Sequence, residues 1–266
     1  MAGNGSDALI LEDLVAGYGG GDVLRGVSFG VPGAAITAVI GPNGAGKSTV
    51  LAAIVGLLRP KSGRVLLEGD DITGISPLRV ISAGIVIVPQ ARSLFPNMTV
   101  AENVDLGGYT VRDPRILAER RAMIAEMFPL VTRYAKQRAG RLSGGQQRVV
   151  EFARCLMLEP RVVLLDEPSI GLDPAALRVV YDSILQMRER GKTVVLVEQN
   201  AKAALEVADK AVLLEAGRVR LAGPAAELRD HSEIGSVYLG KATAKAAESK
   251  RESNVSTPAE RIGQEQ

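Results

Sequence analysis

Histidine, cysteine and tryptophan are almost absent from this sequence, which limits the chemistry it can perform. The 266 residues include one cysteine, Cys155, one histidine, His231, and no tryptophan. A single cysteine excludes an internal disulfide and a cysteine-rich zinc site. A single histidine excludes a histidine-cluster metal site and argues against a Ser-His-Asp hydrolase. We interpret Cys155 as a small buried apolar residue rather than a redox sensor, and His231 as a solvated residue near a helix start.

Aromatic side chains and net charge are also low. Five tyrosines and four phenylalanines leave little surface for stacking on bases. The 32 basic and 30 acidic residues give a formal net charge of +2, which is too balanced for a protein whose main task is to bind nucleic acid. We therefore expect no nucleic-acid partner.

Long apolar runs are missing as well. The strongest apolar stretch, residues 80–88, is about half the length that a membrane span requires. The N-terminus has no basic segment followed by an apolar run, so the sequence predicts no signal peptide. We expect a cytoplasmic protein that, if it acts at a membrane, is held there by a partner.

Short apolar runs between glycine-rich turns fill the first third of the chain and are typical of β-strands. Later runs that are apolar at every position are typical of strands buried on both faces. The last strand pair reads as a hairpin that turns at Gly217. The predicted strands cover residues 9–15, 27–31, 34–40, 63–69, 84–89, 162–165 and 193–197, with the hairpin at 210–221.

Helical patterns alternate with these strands. The stretch from residue 90 to 156 lacks strand signals and predicts a helical insertion, and further helices are expected up to Leu58 and over residues 174–190. This alternation predicts an α/β fold around a mostly parallel sheet. Residues 241–266 have few large apolar side chains, so we expect a disordered tail.

The segment GPNGAGKS at residues 41–48 matches the phosphate-binding loop pattern G-x-x-x-x-G-K-[ST]. Glycines in such a loop let successive backbone N–H groups face phosphate oxygens, and the helix that follows presents its positive dipole end to the same anion. Lys47 adds a cation for the β- and γ-phosphates, and the Ser48 hydroxyl is placed to ligate Mg²⁺. The alternative is a chance glycine-rich turn. The predicted nucleotide-binding residues here are Gly41, Pro42, Asn43, Gly44, Ala45, Gly46, Lys47, Ser48 and Thr49.

An acidic pair follows the apolar run VVLL. Asp166 and Glu167 stand at the C-terminal end of that predicted strand, where ligands bind in open parallel sheets. Asp166 is expected to hold Mg²⁺ opposite Ser48, and Glu167 to polarise a water lined up on the γ-phosphate. The simpler interpretation is that the pair merely begins a loop before Pro168.

The segment LSGGQ at residues 142–146 has two compatible interpretations. Ser143 and Gln146 fit a capping box at a helix start. A helix N-terminus that opens with Gly144 and Gly145 is also suited to an anion.

With these motifs the chain resembles the nucleotide-binding subunits of ABC transporters over about residues 8–240. The resemblance implies a P-loop NTPase core with a mostly parallel sheet, N-terminal antiparallel strands and an inserted helical subdomain at about 90–156. It implies ATP and Mg²⁺ as cofactors and a head-to-tail dimer in which one subunit's phosphate loop and the other's Ser143, Gly144, Gly145 and Gln146 enclose each ATP. Gln90 resembles the glutamine that contacts Mg²⁺, residues 169–173 resemble the D-loop, and Tyr18 resembles the aromatic that stacks on adenine. By itself, Tyr18 fits a turn or core tyrosine.

One position departs from the family pattern. Gln199 stands where the family usually has a histidine that contacts the γ-phosphate. Histidine can carry a proton near neutral pH, whereas glutamine only donates and accepts hydrogen bonds. Either Gln199 serves as a γ-phosphate donor while Glu167 is the base, which we favour, or this site is slow and a partner ATPase supplies a faster one.

The segments VEQN, VPQARSLFPNMTVAENV and VYLG resemble the ATPases of bacterial branched-chain amino-acid importers, including relatives that serve urea and amide uptake. This resemblance implies membrane permease subunits, a second ATPase or a second copy as partners, and indirectly a periplasmic solute-binding protein. It places the chain on the inner face of the cell membrane. Alternatives are a soluble iron–sulfur assembly ATPase and a lipopolysaccharide-export ATPase. The candidate permease contacts are Leu94, Phe95, Pro96 and Met98. The alternative, to which we give equal weight, is that they form the core of the helical subdomain.

Overall fold

The large sheet contains the strands that the sequence marks as continuously apolar. The structure is a computed structural model that describes residues 7–229 together with residues 231 and 234. Strands β3, β7 and β8 lie inside a six-stranded sheet, and every residue of β3 and β8 is buried. All neighbouring pairs are parallel except the β9–β10 hairpin. The spatial order is β10 (Arg218–Pro224), β9 (Lys210–Glu215), β3 (Ile36–Ile40), β8 (Thr193–Glu198), β7 (Val162–Asp166) and β6 (Ile85–Val88).

A second, antiparallel sheet is formed by the N-terminal strands. Its order is β2 (Leu24–Pro32), β1 (Asp7–Ala16), β4 (Ser62–Leu67) and β5 (Asp70–Asp71). Apolar side chains of both sheets and of the first helix pack into one buried cluster. The α/β fold with an antiparallel N-terminal sheet and a mostly parallel central sheet is therefore confirmed.

Nine α-helices connect or cover the strands in the part of the chain that the structure describes, and a short 3-10 helix spans Ala139–Arg141. Helices α3 to α6 all fall between β6 and β7, as the predicted helical insertion requires. The helices are α1 (Lys47–Ile54), α2 (Pro77–Ser82), α3 (Val100–Gly107), α4 (Pro114–Met127), α5 (Pro129–Arg133), α6 (Gly144–Leu156), α7 (Pro174–Glu189), α8 (Ala201–Val207) and α9 (Ala225–Arg229).

Helix α1 is shorter than predicted. We expected it to continue to Leu58, but it ends at Ile54, and Gly56 follows with a φ of 73°. A left-handed residue just after a helix ends it because the backbone turns away from the helix axis. The carbonyl oxygen of Ile75 would lie 2.1 Å from a Cβ at Gly56, so glycine is also required there by close packing.

The C-terminal part of the chain falls largely outside the described residues. The tail 241–266 and the end of the predicted domain at residue 240 lie outside them, so the domain bounds stay predictions. His231 is exposed.

Cys155 is half-buried in α6, and burial raises the pKa of its thiol to about 11. The sulfur therefore stays a protonated, unreactive thiol at neutral pH. Among the described helices, none is both long and apolar enough to cross a membrane.

Candidate nucleotide-binding and hydrolysis site

The glycine-rich loop connects β3 to α1 along a path that only glycine permits at two points. At Gly41, a Cβ would lie 2.2 Å from the carbonyl oxygen of Leu214, in the neighbouring strand β9. Gly46 has a φ of 104° and directly precedes α1, which is a backbone conformation that favours glycine. The loop therefore packs closely against β9. The N-terminus of α1 is left open toward a neighbouring cavity.

That cavity has a volume of about 340 Å³ and brings distant parts of the sequence together. The phosphate-loop residues meet three residues that the sequence analysis also selected, Gln90, Glu167 and Gln199. Val23 and Ile170 line the cavity too. Val23 was not predicted, whereas Ile170 falls within the segment 169–173 that resembles the D-loop. The lining residues are Val23, Asn43, Gly44, Gly46, Lys47, Ser48, Thr49, Gln90, Glu167, Ile170 and Gln199.

Lys47 lies at the base of the cavity and is almost fully buried, with 5% of its surface exposed. Its Nζ donates to the carbonyl oxygens of Gly41 at 2.9 Å and Pro42 at 3.2 Å. The same nitrogen is 3.5 Å from Oε1 of Glu167. A buried cation needs such partners, and this one belongs to the loop that is expected to receive phosphate.

Glu167 combines an unusual backbone with a constrained side chain. Its φ of 45° is left-handed for a residue that is not glycine, a conformation that is costly and often found at functional sites. The backbone N–H donates to the carbonyl oxygen of Val197 in β8 at 2.9 Å. Nε2 of Gln90 donates to Oε2 of Glu167 at 3.0 Å. The carboxylate is thereby held between Lys47 and Gln90 at the cavity wall.

Asp166 and Ser48 contact each other at the side of this cavity. The Ser48 hydroxyl donates to Oδ1 of Asp166 at 3.2 Å. Burial raises the pKa of Asp166, and the hydrogen bond from Ser48 offsets part of that rise. No group of three or more acidic, histidine or cysteine residues suited to a metal occurs within the described residues. Mg²⁺ does not need one, since it is commonly held by one or two carboxylates together with substrate phosphates and water.

Gln199 lies just beyond β8, exposed at the cavity mouth. The residue before it, Glu198, is only 1% exposed and was not predicted. Its carboxylate accepts hydrogen bonds from the N–H of Ser169 at 3.2 Å and from the Ser169 hydroxyl at 2.8 Å. The strand end that carries Gln199 is therefore tied to the loop that begins at Ser169.

The Ser143–Gln146 segment starts α6 with the predicted capping box. The Ser143 N–H donates to Oε1 of Gln146 at 3.0 Å, and the Gln146 N–H donates to the Ser143 hydroxyl at 3.4 Å. None of Ser143, Gly144, Gly145 and Gln146 lines the cavity beside Lys47. The geometry thus confirms the cap and does not bring this segment to the chain's own phosphate loop.

Tyr18 is not a core residue. Its side chain is exposed by 60%, so the interpretation of Tyr18 as a core tyrosine is wrong, and it is not among the residues that line the cavity. A turn position and an adenine-stacking position both remain compatible with such exposure.

A parallel sheet that carries a glycine-rich phosphate loop after β3 and an acidic pair after β7 defines a P-loop nucleotide hydrolase. The sequence model of the ABC transporter family matches residues 24–170. The chain is 40% identical over 228 residues to the probable branched-chain amino acid transport ATP-binding protein LivF of Archaeoglobus fulgidus, covering 85% of this chain and 96% of that one. It is 38% identical to the high-affinity branched-chain amino acid transport ATP-binding protein BraG of Pseudomonas aeruginosa, covering 84% and 95%.

Solved structures agree with this assignment. The crystal structure of the ADP conformation of an ATP-binding cassette of an ABC transporter has a TM-score of 0.80 and 29% identity, covering 88% of this chain and 99% of that one. A dimeric post-hydrolysis cassette bound to ADP and phosphate has a TM-score of 0.70 and 27% identity, covering 82% and 98%. The chain belongs to the ATP-binding cassettes of the ABC transporter family and is an ATPase.

Proposed function

We propose that this chain is the ATP-hydrolysing subunit of a membrane importer for branched-chain amino acids. The observation that carries the proposal is the identity of 38–40% to two proteins named for that transport, over nearly their whole length. Lipopolysaccharide export is the second candidate, because the export ATPases LptB of Haemophilus influenzae and Acidithiobacillus ferridurans are 32% and 34% identical over 88% of this chain.

Hydrolysis is assigned to the residues around the cavity. A water oxygen attacks the γ-phosphorus, the bond to the β–γ bridging oxygen breaks, and the carboxylate of Glu167 takes the water's proton. Lys47 exchanges its carbonyl contacts for phosphate oxygens, and the Gln199 amide donates a hydrogen bond to the γ-phosphate. The position of Gln90 against Glu167 orients that carboxylate within the cavity.

Magnesium is assigned to the Ser48 hydroxyl, the Asp166 carboxylate and the Gln90 side-chain oxygen. Gln90 donates through its amide nitrogen in this structure, which leaves its oxygen available. When bound with ATP, Mg²⁺ neutralises charge on the phosphate oxygens. Calorimetry of ATP binding tests this assignment without turnover, because Asp166→Asn should weaken binding in Mg²⁺ much more than binding in EDTA.

The partners follow from the family. We assign permease subunits to the surface that includes Phe95, which is exposed by 52%. Pro96 is exposed as well, and Leu94 and Met98 are half-buried, so this segment is open to contact. A second ATPase or a second copy supplies the other half of each ATP site, and a periplasmic solute-binding protein acts only through the permease. The chain would then sit on the cytoplasmic face of the membrane.

Co-purification tests this function directly. A tagged chain is isolated from its host in mild detergent, and bound proteins are identified by mass spectrometry. Recovery of apolar permease subunits encoded with a branched-chain amino-acid binding protein supports the proposal, and a second ATPase in the same sample identifies a mixed dimer. Recovery of lipopolysaccharide-export subunits supports the second candidate. Soluble partners alone would reject the transport role.

A further inference from the structure

A buried ion pair lies on α6, outside the cavity. Nη1 of Arg148 is 2.8 Å from Oε2 of Glu151, one turn further along the helix. The two side chains are 6% and 1% exposed, and neither residue lines the ATP cavity. A buried ion pair often contributes little net stability because both charges lose their hydration. Its role is better sought in the other groups that the two side chains bind.

Those groups belong to the segment that leaves β6. The Arg148 guanidinium donates to the carbonyl oxygen of Pro89 through Nη1 and to that of Gln90 through Nη2, both at 3.0 Å. Oε1 of Glu151 accepts hydrogen bonds from the N–H and the hydroxyl of Ser93. The ion pair therefore holds both ends of residues 89–93 against one face of α6.

A second arginine extends the same contact. Nη1 of Arg154, almost one turn beyond Glu151, donates to the carbonyl oxygen of Ser93 at 2.8 Å. Three side chains of one helix thus bind this short segment mainly through its backbone. Backbone contacts fix the path of a segment whatever its side chains do, so they determine where the Gln90 side chain begins.

The position of Gln90 matters because its amide reaches Glu167, at 3.0 Å. At its other end, α6 begins at the Ser143 cap. Gln147, also on α6, accepts from Arg92 at 2.7 Å and donates to the carbonyl oxygen of Leu142 at 3.0 Å. Helix α6 thus connects the segment that carries Gln90 with the segment proposed to face a partner's ATP.

We propose that Arg148 and Glu151 are positioning residues for Gln90. The Arg148 guanidinium fixes the backbone carbonyl of Gln90, so that the side-chain amide of Gln90 meets Glu167. The Arg148–Glu151 ion pair thereby makes Gln90 move together with α6. This inference rests on the proposed role of Glu167 in hydrolysis. It predicts that loss of the contacts lowers kcat with little change in KM for ATP, because neither side chain lines the ATP cavity.

The first variant is Arg148→Lys, which keeps the charge near Glu151 but replaces the planar fork with a single ammonium that is unsuited to hold two carbonyls at once. We expect kcat to fall about fivefold to tenfold, with KM within twofold of the wild type. The second variant, Arg148→Met combined with Glu151→Leu, removes the whole buried pair and leaves no unpaired charge. It should lose kcat to a similar or larger extent, and Tm should fall moderately because backbone groups of residues 89–93 lose their partners.

A double-mutant cycle separates positioning from general weakening. Gln90→Ala should lower kcat by itself, and Arg148→Lys added to it should lower kcat no further, because its effect passes through Gln90. The control is Arg121→Met, which breaks the half-exposed Arg121–Asp105 pair between α4 and α3. It should leave kcat unchanged in both backgrounds.

Two results would overturn the proposal. One is a double variant, Gln90→Ala with Arg148→Lys, whose kcat falls by the product of the two single effects. The other is a normal kcat in either single variant. Neither result touches the hydrolytic role of Glu167, which is tested separately by Glu167→Gln. If Glu167→Gln kept most of its turnover, the proposed hydrolysis scheme would fail whatever the cycle showed.

Discussion

At the scale of single residues, the proposed role of Glu167 depends on how its surroundings orient its carboxylate. Its left-handed backbone and its contacts with Gln90 and Lys47 aim one carboxylate into the cavity. A carboxylate held this way can accept a proton from water, whereas an amide of the same shape cannot. The residue is therefore open to a test that preserves its size and removes its charge.

We predict that Glu167→Gln lowers the ATPase rate at least about 100-fold, the usual effect of losing a general base, while ATP still binds. Steady-state phosphate release measures the rate, and a fluorescent ATP analogue measures binding. Glu159→Gln is the matched control, because Glu159 also has a left-handed φ, 55°, but is exposed and away from the cavity. A Glu167→Gln variant with most of its turnover would reject the base assignment.

Glu198 offers a residue-scale prediction about stability. Burial raises the pKa of this carboxyl above its ordinary value of 4.5, although the hydrogen bonds from Ser169 offset part of the effect. The folded state therefore binds the proton more tightly than the unfolded state. The free energy of unfolding then falls as pH rises from 4.5 through the raised pKa.

Glu198→Gln removes the buried charge and keeps an acceptor for the Ser169 N–H. We expect Tm at pH 8 to rise by about 1–3 °C relative to the wild type, and this gain to shrink as pH is lowered toward 5. Thermal unfolding followed by circular dichroism across that range measures both. Glu189→Gln, at an exposed position of α7, is the control and should show no such trend. A gain that does not change with pH would contradict the argument.

At the scale of elements, the start of α6 has one observed role and one proposed role, and substitutions at one position can separate them. Ser143 caps the helix, and we propose that it also faces a partner's ATP. Ser143→Ala removes the cap and should cost about 1 kcal/mol, a fall in Tm of roughly 2–4 °C. Ser143→Asp keeps a good capping side chain but adds a negative charge where phosphate is expected.

We predict two results for Ser143→Asp: its Tm stays near the wild-type value, and it loses most of its ATPase activity. The control is Thr99→Asp at the capped start of α3, which should leave turnover unchanged but lower Tm, because the new carboxylate faces that of Glu102. If Ser143→Asp were fully active, the segment would be a helix cap alone.

The same elements show what a sequence can predict. Strands β7 and β8 were expected because an apolar run is a local signal, and so was the capping box. The early end of α1 coincides with Gly56, a local signal that the prediction missed, whereas the close approach of Gly56 to Ile75, 19 residues away in the sequence, is tertiary. Arg148 and Glu151 look like an exposed helical pair until β6 and residues 89–93 are packed over them, and Glu198 is a strand-end carboxylate until Ser169 approaches it. Contacts of this kind are tertiary, so no local sequence pattern predicts them.

At the scale of the whole molecule, the phosphate loop and the Ser143 segment belong to one chain but do not share one cavity. If both are needed for hydrolysis, the complete site must contain two chains. In a head-to-tail pair each chain gives its phosphate loop to one site and its Ser143 segment to the other. In a pair with one defective chain, a defect in the phosphate loop therefore disables one site, and a defect in the Ser143 segment disables the other.

This arrangement predicts complementation between two inactive variants when the chain pairs with itself. In a mixed dimer of Lys47→Ala and Ser143→Asp, one site carries both defects and the other carries neither. Random pairing makes about half of the dimers mixed, so an equimolar mixture should recover roughly a quarter of the wild-type ATPase rate. Each variant alone should be nearly inactive. A mixture that stays inactive while the wild type turns over would reject the prediction that one intact site of a head-to-tail pair hydrolyses ATP by itself.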